Sequence, residues 1–119
     1  MQALGEQNLA GKVFVSGQDA ELAALQRIVA GTQSMTVYKP VARLAVRAAE
    51  AAVALARGEN IAAPAKVNNG KKDVPAVLLD SITVDRNNVI DTVIKDGYLK
   101  MEDVYRNVPR QQWPSVPQN

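Results

Sequence analysis

Apolar residues in this chain alternate between two rhythms, short unbroken runs and helical spacing. Val13, Phe14 and Val15 form a run bounded by Gly11 and Gly17, which predicts a short buried strand over residues 11–17. Leu22, Leu25, Ile28 and Val29 then recur every three or four positions, which predicts an amphipathic helix. Asp19 sits where the N-cap of that helix belongs and Gly31 where it stops. Ser34-Met35-Thr36-Val37-Tyr38 is rich in β-branched and aromatic types and predicts a second strand. Pro40 suits the first position of a second helix, where its missing N–H costs nothing. That helix runs to about Arg57, and Gly58 ends it. Val41, Leu44, Ala45, Ala48, Ala52 and Leu55 recur on one face, with Arg43, Arg47 and Glu50 on the other. The alanine-rich face is expected to lie close against a sheet.

Beyond Gly58 the rhythm weakens. Residues 61–72 carry Pro64, Asn68, Asn69 and Gly70 and read as a loop. Val77-Leu78-Leu79, Ile82 and Val84 predict a third strand within residues 74–84, which Asp85-Arg86-Asn87-Asn88 breaks. Asn88 or Asp91 is positioned to cap a short turn through Ile94, Gly97 ends it, and residues 101–105 form a last turn. Residues 108–119, with Pro109, Pro114 and Pro117, read as a flexible tail after a folded part spanning 1–107. Strands joined in sequence by helices run parallel with right-handed crossovers. The expected fold is therefore α/β, an open parallel sheet of three strands flanked by helices.

Composition narrows the function. A chain of 119 residues is one small domain, and 47% hydrophobic with 22% charged residues is an ordinary globular balance. The net charge is +2 and the strongest basic run is Lys71-Lys72, which argues against nucleic-acid binding. The chain has no Cys and no His. Thiol nucleophiles, imidazole bases and the commonest zinc ligands are thus excluded, and no enzymatic role, metal or cofactor is expected. No apolar run reaches membrane-spanning length. Met1-Gln2-Ala3-Leu4-Gly5-Glu6 lacks the pattern of an export signal, so the chain as written is not expected to be exported.

Ligands of an open α/β sheet bind beyond the C-terminal ends of its strands. Asp19 follows the first predicted strand and Lys39 the second, 20 residues later, so they are expected to face one crevice. Gln18 and Tyr38 flank them as possible supporting residues. A carboxylate only accepts hydrogen bonds and an ammonium only donates them. Together they suit sugar hydroxyls, each of which does both. On spacing alone two plainer roles stay open: Asp19 as a helix cap, and Lys39 as a solvated residue before a helix-starting proline.

The residues also carry a family resemblance. The runs Gly11-Lys12-Val13, Ser16-Gly17-Gln18-Asp19-Ala20, Ala30-Gly31-Thr32-Gln33 and Met35-Thr36-Val37-Tyr38-Lys39-Pro40 are similar to those of D-xylose-binding proteins of ABC importers. So are Val67-Asn68-Asn69-Gly70, Lys72-Asp73-Val74-Pro75, Leu78-Leu79, and the run from Asn87 through Asp96-Gly97-Tyr98. The resemblance covers about residues 2–105 in the same order. It implies a periplasmic-binding-protein-like, Rossmann-like αβα lobe, present in part. It further implies that Asp19 and Lys39 bind sugar hydroxyls, that the third strand crosses between lobes, and that importer membrane subunits are partners in the periplasm. Full members close two lobes on the sugar. This chain resembles only their C-terminal segment, so weak or absent binding alone and homo-oligomerisation over the uncovered faces are expected. Two other readings compete: a self-associating assembly module without sugar binding, and the effector-sensing half of a sugar-responsive regulator. Trp113 lies past the resemblance and is given no sugar role.

Overall fold

A computed structural model describes residues 1–115. The elements are helix α1 (Gln2–Glu6), α2 (Leu22–Val29), strand β1 (Thr36–Tyr38), α3 (Val41–Ala56), β2 (Ala65–Asn68), β3 (Asp73–Ala76), β4 (Ile82–Val84), a π-type turn at Ile90–Ile94, α4 (Met101–Val104) and a 3-10 turn at Arg110–Gln112. The described residues form two compact units, residues 1–39 with 81–115, and residues 40–80.

The first unit holds the core. Leu25, Ile28 and Val29 of α2 pack with Tyr38, Val84, Val89, Val93, Val104 and Tyr105, and each of these is buried. The helical spacing read from the sequence is thus the spacing of the buried face of α2. The helix starts later than expected, however. Its N-cap is Glu21, without a side-chain cap bond, and Asp19 lies outside the helix.

Of the three predicted strands, the second and the end of the third, Ile82–Val84, are strands, while Val77-Leu78-Leu79 lies outside any strand and residues 11–17 form no regular strand. The Val15 carbonyl accepts from the Ser34 and Met35 amides (3.0 and 3.3 Å), and the Gly17 carbonyl accepts from the Val37 amide (3.1 Å). Acceptor and donor numbers rise together, so this segment runs parallel to β1 as expected. Phe14 is 76% exposed rather than buried. β4 differs in direction. It pairs antiparallel with β1, Thr36 opposite Val84 and Tyr38 opposite Ile82. In sequence, α3 and a whole hairpin separate β1 from β4, rather than the single helix of a parallel crossover. The α/β class stands, with a mixed arrangement in place of three parallel strands.

That hairpin occupies the stretch read as a loop. β2 and β3 pair antiparallel, Ala65 opposite Ala76 and Asn68 opposite Asp73. Its turn is bonded by asparagines: Asn69 Oδ1 accepts from the Lys71 and Lys72 amides (both 3.0 Å), and Asn68 Oδ1 from the Gly70 amide (2.8 Å). Asn-rich turns of this kind bond their own backbone and so nucleate hairpins. Pro75 is tolerated because a two-stranded ribbon has only edge strands.

Helix α3 has the expected length and stop. Gly58 takes φ +73°, its amide bonds to the Leu55 carbonyl and the Glu59 amide to the Ala54 carbonyl, the paired bonds of a Schellman cap. The expected packing face is not covered. Val41, Leu44 and Leu55 are 54, 55 and 63% exposed, and apart from Pro40 no residue from 40 to 80 is buried.

The stretch expected to be a tail from residue 108 instead folds back as far as Trp113. Val108 and Trp113 pack on the core, the Trp113 ring lies 5.8 Å from that of Tyr105, and its Nε1 donates to the Val108 carbonyl (2.9 Å). Arg110 stacks over the indole at 4.3 Å, a cation–π contact that closes this corner. Residues 116–119 of the expected tail lie outside the described residues.

Burial pushes the Tyr105 phenol above its ordinary value of 10.0, and the nearby Arg86 charge pulls it back only in part. The unfolded phenol ionises near 10.0, whereas the folded one stays neutral to higher pH. Its contribution to stability is therefore complete below pH 10 and is lost as pH rises through the folded value. Urea titrations across that window are expected to show an alkaline loss of stability that Tyr105→Phe reduces. An identical loss in the variant would assign it elsewhere.

Candidate functional site

The parallel register of residues 13–17 with β1 places the candidate pair. Gly17 meets Val37, and two residues further along each segment stand Asp19 and Lys39. Both chains thus deliver a charged side chain to the same end. Lys39 Nζ lies 2.5 Å from Asp19 Oδ1, with the side chains 46% and 59% exposed. A pair so exposed contributes little to stability, because water screens it and both side chains lose freedom on pairing. It remains open to a ligand.

The structure separates the two roles left open for Asp19. Its carboxylate makes no cap bond to α2 and is turned to Lys39 instead. The reason is local backbone: Asp19 takes φ +77° and Ala20 φ +48°, so the chain reverses before the helix begins. Lys39 is likewise not a lone solvated lysine, since it is the cation of this pair.

Beneath the pair lies an aromatic shelf. Tyr38, buried, has its ring 5.0 Å from that of Tyr98 at 40°. Tyr38 donates its hydroxyl to Asp96 Oδ2 (3.3 Å), and Tyr98 donates to the Asp19 carbonyl (3.4 Å). Gln18 is exposed beside Asp19. The floor is tight at Gly17, where an added Cβ would stand 2.6 Å from Gln33 Nε2 and 3.4 Å from Thr36 Oγ1. A larger residue there would push on the buried Gln33 and Thr36.

Tyr98, Asp96 and Thr36 were not singled out from the sequence. Tyr98 is 79 residues from Asp19, and only the folded core brings its turn beneath the pair. Thr36 reads as one more β-branched strand residue, and nothing in that pattern announces its hydroxyl. Among the described residues there is no cluster of acidic side chains that could hold a metal ion, and no helix is long and apolar enough to cross a membrane.

Comparison with known proteins bears on this arrangement. A family model described as a periplasmic binding protein domain matches residues 1–60. The D-xylose-binding periplasmic protein of Haemophilus influenzae is 58% identical over 105 residues, which cover 88% of this chain and 32% of that protein. Its Escherichia coli counterpart of the same name is 56% identical over 104 residues, covering 87% of this chain and again 32% of the relative. The chain thus spans about a third of the length of these curated relatives. A carbohydrate transporter solute-binding protein from Chloroflexus aurantiacus, solved in complex with D-glucose, matches with a TM-score of 0.72 and 49% identity, covering 76% of this chain and 26% of that one. The model's matched half contains both members of the pair and the register that joins them, and on that ground the chain belongs to the periplasmic binding protein domain family.

Proposed function

We propose that this chain supplies one wall of a monosaccharide cleft, the sugar being D-xylose or a similar pentose, in a substrate-binding protein of an ABC importer working in the periplasm. One observation carries the proposal: an acceptor carboxylate and a donor ammonium, 2.5 Å apart and half exposed, stand at the same end of two parallel segments. A sugar hydroxyl entering between them donates to Asp19 and accepts from Lys39, replacing one charge-assisted contact with two. Tyr38 and Gln18 flank the contact. The names of the relatives, D-xylose-binding proteins at 56–58% identity, support the choice of sugar, and importer membrane subunits follow as partners.

A sugar on this wall alone stays largely solvated, whereas tight pockets bury most of their ligand. Binding by the 119-residue chain is expected near millimolar or weaker, from a few hydrogen bonds of about 1 kcal/mol net each. NMR titration with D-xylose is expected to shift the amides around residues 18–20 and 38–39. Asp19→Ala and Lys39→Ala are each expected to abolish those shifts. Shifts that persist in both variants would remove the pair from the binding surface and sink the proposal.

A second reading, self-association, is favoured by α3. Val41, Leu44 and Leu55 stand more than half exposed on one face of it, and uncovered apolar stripes of this kind mark contact surfaces. A second copy of the chain is the occupant proposed here. This reading is compatible with the first, because the α3 residues and the Asp19–Lys39 pair are different residues of the chain.

A further inference from the structure

The Asp19 carboxylate is presented from a backbone that L-residues avoid. Asp19 at φ +77° and Ala20 at φ +48° are consecutive left-handed residues. In that region Cβ crowds the following carbonyl, which disfavours it for every residue but glycine. An aspartate tolerates it through local bonding, but alanine has no side-chain group to offset it. Such a corner persists only where its surroundings hold it.

Two side chains hold this one. The Ala20 amide donates to Thr36 Oγ1 at 3.3 Å, and the Tyr98 hydroxyl donates to the Asp19 carbonyl at 3.4 Å. Ala20 and Thr36 are both fully buried, at 0% exposure, so the first bond is shielded from water. Tyr98 is 37% exposed and its bond competes with solvent. A buried strand position opposite Val84 would accommodate valine as readily as threonine. The hydroxyl is therefore the informative part of Thr36. Without it the Ala20 amide would be buried and unpaired, a state that folded chains avoid, and the corner would relax toward an ordinary helix entry.

We propose that Thr36 is a positioning residue for the candidate site: its hydroxyl accepts the Ala20 amide and fixes the left-handed corner that aims Asp19 at Lys39. The role in binding rests on the reading of Asp19 and Lys39 as the sugar-contacting pair. The geometry does not, and it is measured without sugar.

The test compares Thr36→Val with Thr36→Ser in the whole chain by NMR. In the parent, scalar couplings about φ are expected to report left-handed Asp19 and Ala20, with a nuclear Overhauser contact between the Asp19 β-protons and the Lys39 ε-protons. Thr36→Val is expected to lose both signatures while the resonances of α4 stay in place, and Thr36→Ser to retain them. Thr36→Val with both signatures intact overturns the proposal, as does Thr36→Ser with α4 unchanged and the corner lost. If Thr36→Val fails to fold, the Ser variant decides alone by the same criterion. D-xylose titration of the parent and Asp19→Ala is read separately. Failure there removes the sugar reading and leaves the corner measurement standing.

Discussion

Leu25→Ala is expected to destabilise the chain by about 2–5 kcal/mol, whereas Leu55→Ala is expected to cost no more than about 0.5 kcal/mol. The two leucines look alike in the sequence, each at helical spacing among apolar neighbours. Leu25 is 0% exposed and sits among Ile28, Val84, Val89, Val93 and Val104, all at 0 or 1% exposure. Removing its side chain leaves a cavity that close-packed neighbours fill only in part. Leu55 is 63% exposed, so truncation removes little that was sheltered from water. Urea denaturation of the two variants at one dilute concentration measures the contrast. Equal costs would mean that α3 is covered in solution, which the second prediction addresses directly.

The parent chain is expected to associate in a concentration-dependent way, and Leu44→Lys combined with Leu55→Lys to return it to monomer. Both side chains are more than half exposed on α3. Hydrophobic area removed from water contributes roughly 25 cal/mol per Å², so covering both leucines favours association. Two added ammonium groups would have to be buried unpaired across such an interface, which is prohibitive. Static light scattering over a concentration series reads the mass. A parent that stays monomeric across the series ends the self-association reading, and an unchanged associated mass in the double variant places the contact elsewhere. Neither substitution touches the Asp19–Lys39 pair, so sugar titration of the double variant is expected to match the parent.

Several elements were legible because their signals are local. Leu22, Leu25, Ile28 and Val29 foretold α2 and its buried side, and Pro40 and Gly58 bracketed α3 to within a residue of its ends. The alternation of parallel segments with α2 carried Asp19 and Lys39 to one end. What failed was non-local. The hairpin β2–β3 was hidden because Pro64, Asn68, Asn69 and Gly70 read as a loop, although an Asn-Asn-Gly turn between Val67 and Val74 is itself a hairpin signal. Direction of β4 was hidden because apolar runs carry no arrow. Trp113 reads as a tail residue because Pro109 and Pro114 flank it, yet its indole packs beside Tyr105.

The sequence alone determined where the body of α2 and of α3 lies, which side of α2 is apolar, which family the runs resemble, and that no imidazole or thiol is available for chemistry. These depend on periodicity, composition and neighbours a few positions apart. The tertiary structure alone decided that Asp19 leaves the helix cap for Lys39, that Thr36 and Tyr98 brace its backbone, and that α3 keeps its apolar stripe in water. Those outcomes depend on which distant segments meet: a left-handed corner persists only when a buried hydroxyl supplies the missing bond, and an apolar face is covered only when a layer lies over it.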